Sequence, residues 1–289
     1  MTAVPLGIPR RRLEFTIDGE PVRVTEGSTI LDACRAAGKD VPALCRGGPD
    51  PLTPGGGACR LCVVEVEGAA ALVPACSRRA EPGMDVRTGT ERVRHSRKIV
   101  LELLASSADL STTPRAAEWI MEYDARPDRF GPGAARLDEP PKVDNDLYVR
   151  DYGKCVLCRR CVDACGDEGQ NTFAIAVSGR GFGARIAVEH DAPLTDSACV
   201  FCGNCIDVCP TGALSFRSEF DRRAAGTWDE ASQTRTDTVC AHCGAGCDLT
   251  LHVQDNEVVK VTTPHEQAVT QSSLCSKGRF GYQHVQNRD

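Results

Sequence analysis

The sequence predicts an α+β chain of several small modules built around metal, not one large apolar core. Three observations carry that expectation. Sixteen of the 17 cysteines fall into four closely spaced groups of four. Aromatic residues make up only 5% of the chain, while Gly and Pro number 27 and 17. Apolar alternation comes in short runs divided by turn residues, the pattern of small sheets. A length of 289 residues would hold roughly two ordinary domains. Modules below about 70–80 residues, however, need staples, and bound metal is one kind.

Residues 13–17 and 21–25 alternate around Asp18-Gly19, which is a hairpin signal. Ser28 is the expected N-cap of a helix through Ile30, Leu31, Cys34 and Ala37, closed by Gly38. A Gly- and Pro-rich loop runs from Arg46 to Gly57, and residues 63–67 and 71–74 read as returning strands. Hairpin, helix, cysteine loop and returning strands make a β-grasp module over residues 12–90. Residues 91–146 read as a helical segment and linker, with Ile99, Val100, Leu103 and Leu104 as its apolar stripe. Residues 147–217 hold two interlocked cysteine runs with little regular structure. Residues 218–236 are polar and read as a second linker. Residues 237–289 read as a last small module with a hairpin, Asp248–Val253 and Glu257–Thr262, turned at Asp255-Asn256.

The first cysteine group is Cys45, Cys59, Cys62 and Cys76. Two irons bridged by two sulfides need four thiolates, so this set suits a [2Fe–2S] cluster. The approach Gly55-Gly56-Gly57-Ala58 lets backbone N–H groups come near the sulfurs, because glycine has no Cβ to obstruct them. A zinc ion would accept the same four ligands. Cys34 is left over and reads as a buried apolar thiol on the preceding helix.

The second and third groups are Cys155, Cys158, Cys161, Cys165 and Cys199, Cys202, Cys205, Cys209, the last followed by Pro210. Each has the C-x2-C-x2-C-x3-C run of bacterial two-cluster ferredoxins, in which the fourth cysteine ligates the other cluster. That gives cluster A to Cys155, Cys158, Cys161 and Cys209, and cluster B to Cys199, Cys202, Cys205 and Cys165. The first run is followed by Gly166, not Pro, and 33 residues separate the runs. The insertion, Phe173–Val188, reads as a hairpin with Gly179, Gly181 and Gly183 at its turn. The fourth group is Cys240, Cys243, Cys247 and Cys275.

The bulk numbers exclude other classes. A net charge of −6 argues against nucleic-acid binding, which needs a basic face. A secreted disulfide scaffold is also disfavoured: C-x-x-C repeats suit a metal better, and no apolar stretch follows Arg10-Arg11-Arg12 as a leader would require. No apolar run approaches the ~20 residues of a membrane span. The expected location is cytoplasmic.

Several stretches carry a resemblance. Val41-Pro42-Ala43-Leu44-Cys45, Cys59–Cys62 leading into Val63-Val64-Glu65-Val66, and Leu72-Val73-Pro74-Ala75-Cys76 resemble the [2Fe–2S] domain of the G subunit of complex I. The fourth group, with Cys275-Ser276-Lys277-Gly278-Arg279-Phe280-Gly281-Tyr282, resembles the N-terminal [4Fe–4S] domain of molybdenum and tungsten bis-pterin oxidoreductases. From about residue 12 onward the chain looks like the iron–sulfur region of cytoplasmic NAD-dependent formate dehydrogenase α subunits. The resemblance implies one [2Fe–2S] and three [4Fe–4S] clusters, with Lys277 as an electron-relay residue toward the pterin. It implies two partners, a molybdopterin-containing catalytic subunit and a flavin- and NAD-binding subunit. No catalytic residue is expected, because the pterin-binding domain that would carry a catalytic cysteine or selenocysteine would start near Asp289. The G subunit of complex I and the hydrogenase diaphorase subunits also carry a cluster held by one histidine and three cysteines. His95 is present here, but no cysteine lies between Cys76 and Cys155, which favours the formate dehydrogenase branch. A complex-I-like or [NiFe]-hydrogenase diaphorase subunit is the alternative.

Overall fold

The computed structural model describes residues 11–46, 56–131, 133–264 and 273–286. The residues before Arg11, Gly55 and most of the Gly- and Pro-rich loop lie outside the described residues, as do the last three residues of the chain.

The predicted hairpin forms as β1 (Arg12–Ile17) and β2 (Glu20–Thr25), antiparallel, with Ile17 facing Glu20. Asp18 and Gly19 take positive φ at the turn, as a two-residue hairpin connection needs. The helix α1 (Ile30–Ala36) is capped by Thr29, not by the predicted Ser28. Thr29 Oγ1 accepts from Asp32 N at 3.2 Å, and the Asp32 carboxylate accepts from Thr29 N at 3.0 Å, a capping box. Ser28 is tied into the preceding turn, its N–H donating to Thr25 O. The returning strands are β3 (Val63–Val66), β4 (Val73–Pro74) and β5 (Asp85–Arg87). At three residues, β5 is too short to leave an alternation in the sequence. It nevertheless sits centrally in a five-stranded mixed sheet of order β2-β1-β5-β3-β4, parallel to β1 and antiparallel to β3.

The helical segment consists of α2 (Glu91–Ser107) and α3 (Ala116–Glu122). Its buried face meets the predicted stripe at Val100 and Leu104, which pack against the first core, and departs from it elsewhere. Leu103 is 49% exposed, whereas Val93, Arg97 and Leu101, spaced by four, are buried together with Glu102. The two charged residues hide the true face from an apolar count. Arg97 donates to Val63 O at 2.9 Å and Tyr123 Oη at 3.0 Å. Glu102 accepts from Arg129 Nη1 at 2.6 Å and from Arg126 N. Burial raises the Glu102 carboxyl, but those two donors outweigh it and hold the group below the usual carboxylate value. Leu101, Trp119 and Tyr123 join the sheet's core.

The cysteine runs sit in a frame of β6 (Tyr148–Arg150), α4 (Arg160–Cys165), the inserted hairpin β7 (Ala176–Ser178) and β8 (Arg185–Ala187), α5 (Asn204–Asp207) and β9 (Leu214–Phe216). β6 pairs antiparallel with β9, so the two ends of the module are drawn together. The stretch 218–236 is not a plain linker. It contains most of α6 (Arg217–Ala224) and the start of β10 (Thr234–Val239). Both escape an apolar pattern for physical reasons. α6 is laced by the i,i+4 pairs Arg217–Asp221 and Arg223–Glu219, and β10 is exposed along its whole length as an edge strand. The last module adds β11 (Asp248–Gln254), β12 (Glu257–Thr262), α7 (Ser276–Phe280) and α8 (Gln283–Gln286). Its predicted hairpin turns at Asp255 and Asn256, both at positive φ.

Contacts tie these parts in series. Cys158 packs against the core of the first module, and Thr112 Oγ1, between α2 and α3, donates to Thr211 O at 2.6 Å. At the other end, fully buried Arg279 of α7 pairs with Asp207 at 2.8 Å and donates to Cys202 O and Asn204 Oδ1. Removing one partner of such a buried pair leaves an uncompensated charge, so Arg279 acts as a latch.

Candidate metal centres

The first set lies in the core. Cys45, Cys59, Cys62 and Cys76 are all buried, with the Cys59 and Cys45 sulfurs 3.5 Å apart. Gly57, at φ +86°, donates its N–H to Cys76 Sγ at 3.0 Å. A Cβ added to Gly56 would meet that sulfur at 2.8 Å, closer than any real contact allows. The glycines here are therefore required by the sulfur's position. Hydrogen bonds from Cys59 and Cys76 pull the Cys45 thiol down. The same contacts, with burial added, push Cys59 and Cys76 upward. One thiolate in a dry pocket needs a cation beside it, and four need more positive charge still. Iron supplies it, so the donor set fits a [2Fe–2S] cluster. Gly56→Ala should therefore displace the sulfur: expected is loss of most of the two-iron EPR signal, with the four-iron signals retained.

The second and third runs form two cavities, and the chain crosses between them. One is lined by Cys155, Cys158, Cys161 and Cys209. The other is lined by Cys165, Cys199, Cys202 and Cys205. The two sites repeat one another locally. Leu157 N donates to Cys155 Sγ and Phe201 N to Cys199 Sγ, each at 3.4 Å. Both donors sit at positive φ, 52° and 55°, which turns their N–H inward. Burial pushes the Cys155 thiol up to about 11 and Cys158 to about 12, and drives Cys161 and Cys205 well upward. Such groups carry the negative charge of a metal ligand only against a strong local cation, which an iron–sulfur core provides.

The fourth set is half open. Cys240 and Cys247 are buried, while Cys243 and Cys275 are exposed. Cys240 N donates to Cys247 O at 2.8 Å, closing the loop, and Cys275 serves as N-cap of α7. Gly278, one turn on, lies against Cys240 Sγ, which would stand 3.8 Å from an added Cβ. Lys277, between Cys275 and Gly278 in the sequence, is exposed. Among the described residues no group of three or more His, Cys, Asp or Glu converges on a single-ion site. The ligands of a polynuclear cluster sit on different irons and need not converge.

Cys34 is buried in the first core, its thiol raised to about 11 by burial. Sequence reasoning missed the hydroxyls beside the sulfurs. Tyr148 Oη lies 3.2 Å from Cys199 Sγ, and Thr172 Oγ1 3.3 Å from Cys165 Sγ. No spacing rule links a tyrosine to a cysteine 51 positions away. Tyr148 lies on β6 and Cys199 in the irregular stretch before α5, so only the tertiary fold makes that contact.

Comparison with known proteins matches three family models in succession: a 2Fe-2S iron-sulfur cluster binding domain over residues 10–91, a 4Fe-4S dicluster domain over 154–213, and a molybdopterin oxidoreductase Fe4S4 domain over 233–287. A G subunit of NADH-quinone oxidoreductase, the one numbered 2 in Rhizobium meliloti (strain 1021), is 33% identical over 96% of this chain and 32% of its own length. A protein named as a putative formate dehydrogenase in Staphylococcus haemolyticus (strain JCSC1435) is 26% identical over 96% of this chain and 31% of its own length. The chain thus spans about a third of these curated relatives. A solved chain of an NAD+-reducing [NiFe]-hydrogenase is 28% identical with a TM-score of 0.61, covering 71% of this chain and 87% of that one. No helix among the described residues is long and apolar enough to cross a membrane. Two-iron and four-iron domain models matched in succession over these thiol sets mark the chain as an iron–sulfur protein, similar to one part of the longer subunits of NADH- and NAD-linked oxidoreductases.

Proposed function

We propose that the chain relays single electrons between a molybdenum- or tungsten-pterin formate dehydrogenase unit and a flavin-bearing, NAD-linked partner. The first module is read as a β-grasp [2Fe–2S] domain with Cys45, Cys59, Cys62 and Cys76 as ligands. Cluster A is held by Cys155, Cys158, Cys161 and Cys209, cluster B by Cys165, Cys199, Cys202 and Cys205, and a third [4Fe–4S] cluster by Cys240, Cys243, Cys247 and Cys275. When bound, the four clusters supply one-electron carriers, with two-iron sites near about −400 mV in plant-type examples. The chain's own residues set the order of the ligand sets, bury the first of them, and donate N–H groups to sulfurs of the first three.

One observation carries this reading: Cys243 and Cys275 are exposed while the other half of their set is buried. A ligand set of the molybdopterin-oxidoreductase type that opens outward is placed to exchange electrons with another folded unit. Lys277, exposed beside Cys275, is the proposed relay residue on that face. A second reading, an adaptor for a [NiFe] unit, is favoured by the likeness to the NAD+-reducing hydrogenase chain. Anaerobic affinity purification of the chain from its own host tests the choice. Co-purifying molybdenum or tungsten with pterin and flavin is expected. Nickel in place of molybdenum or tungsten selects the second reading.

A further inference from the structure

We propose that Tyr148 sets the reduction potential of the cluster held by Cys165, Cys199, Cys202 and Cys205, by donating its phenol O–H to Cys199 Sγ. The inference rests on the reading that these four cysteines share one four-iron cluster. Tyr148 is buried, 2% exposed, and its hydroxyl lies 3.2 Å from Cys199 Sγ. A sulfur bound to iron has no proton to give, so the phenol is the donor. A buried tyrosine hydroxyl needs a partner, and among the described residues this sulfur is the one it has.

The ring is held on several sides. Phe280 stacks on it at 6.2 Å and 28°, and Phe201 lies at 6.3 Å. Its own N–H donates to Asn145 Oδ1 at 3.1 Å, and across the β6–β9 pair it faces Phe216. The hydroxyl is therefore aimed, not merely near.

The two four-iron sites differ at this point. Their backbone donors match, Leu157 N and Phe201 N each lying 3.4 Å from a sulfur. Their hydroxyls do not. The cavity of Cys155, Cys158, Cys161 and Cys209 has Thr211 Oγ1 at 3.8 Å from Cys209 Sγ, while the other has Tyr148 at 3.2 Å and Thr172 at 3.3 Å. Donors to cluster sulfurs stabilise the reduced, more negative state and raise the potential. The site next to α7 is thus biased to receive an electron before its neighbour.

Tyr148→Phe removes the donor and keeps the ring. Because the bond is present in both oxidation states, only its extra strength in the reduced state counts, at most about one order of magnitude in an equilibrium constant. For a one-electron couple that is a shift of up to about 59 mV toward more negative potential. The measurement is an EPR-monitored redox titration of anaerobic holoprotein, wild type against Tyr148→Phe, with deuterium ENDOR on the reduced samples after exchange into D2O. Expected is a fall in the midpoint of one four-iron cluster, the other unmoved, with loss of one strongly coupled exchangeable deuteron. An unmoved midpoint, or equal shifts in both clusters, overturns the proposal while leaving the ligand reading intact. Wild-type protein without two four-iron signals from this module overturns that reading and the proposal with it. Thr172→Val, which removes the other hydroxyl, should move the same midpoint; movement of the other cluster instead also overturns the assignment.

Discussion

Anaerobically purified holoprotein should contain about 14 irons per chain with matching acid-labile sulfide, and stripping that iron should unfold the stretch from residue 147 to residue 217. The elements there are too short to stand alone. β6, β7, β8 and β9 have three residues each, α4 has six and α5 has four. Isolated helices shorter than about 12–15 residues are marginal in water, as is a lone two-stranded hairpin. The apolar core is small, and cysteines of both runs pack into or against it beside Tyr148, Ile175, Ile186 and Phe216. A structural four-thiolate metal site contributes about 10–16 kcal/mol to zinc-finger peptides, as much as the whole stability of a typical domain, about 5–15 kcal/mol. Metal loss and unfolding are therefore one event here. The first module should resist longer, because its five-stranded sheet and the 17-residue α2 share an apolar core beyond its sulfurs. Circular dichroism and limited proteolysis after chelation under reductant measure this. Cleavage should start beyond residue 147 and reach the β1–β5 sheet last. Stoichiometric zinc without sulfide, or an apoprotein with unchanged ellipticity and protease resistance, refutes the expectation.

The sequence made the metal chemistry legible and left much of the scaffold obscure, for identifiable reasons. Cysteine spacing is local and chemically constrained, so four sets could be proposed from it directly, and the structure gathers the first three in a core and two cavities. Hairpins were legible where a turn pair such as Asp18-Gly19 or Asp255-Asn256 forces positive φ. The cap at Thr29 was misplaced by one because Ser28 and Thr29 are both good caps, and only the reciprocal bond with Asp32 separates them. The buried face of α2 was read only in part, at Val100 and Leu104, because Arg97 and Glu102 sit inside it, each with partners far along the chain. α6 was lost because its order comes from ion pairs, not from an apolar stripe. The hydroxyls of Tyr148 and Thr172 are beyond any local rule, since the fold alone sets them beside sulfurs.

Cys209→Ala should damage the cluster of the run that precedes it, not that of its own. Three of its near neighbours in sequence, Cys199, Cys202 and Cys205, line one cavity, while Cys209 lines the other with Cys155, Cys158 and Cys161. The cause is the chain path after α5. Cys209 N donates to Ile206 O, and this turn carries residue 209 past the site that residue 205 serves. Removing the sulfur leaves three ligands on a cubane that needs four, so expected is a loss of up to about four of the roughly 14 irons. The spectra give a test that needs no prior assignment of signals. Cys155→Ala and Cys209→Ala should lose the same EPR signal, and Cys165→Ala and Cys205→Ala should lose the other. The surviving cluster in each case should also lose the line splitting that arises from its paramagnetic neighbour in fully reduced wild type. If Cys209→Ala instead reproduces the spectrum of Cys205→Ala, the ligands do not cross, and the two cavities cannot be the two cluster sites. If they do cross, neither run can complete a cluster alone. Each cubane then staples the two halves of residues 147–217 together, which explains how a module with so little regular structure holds two sites at fixed separation.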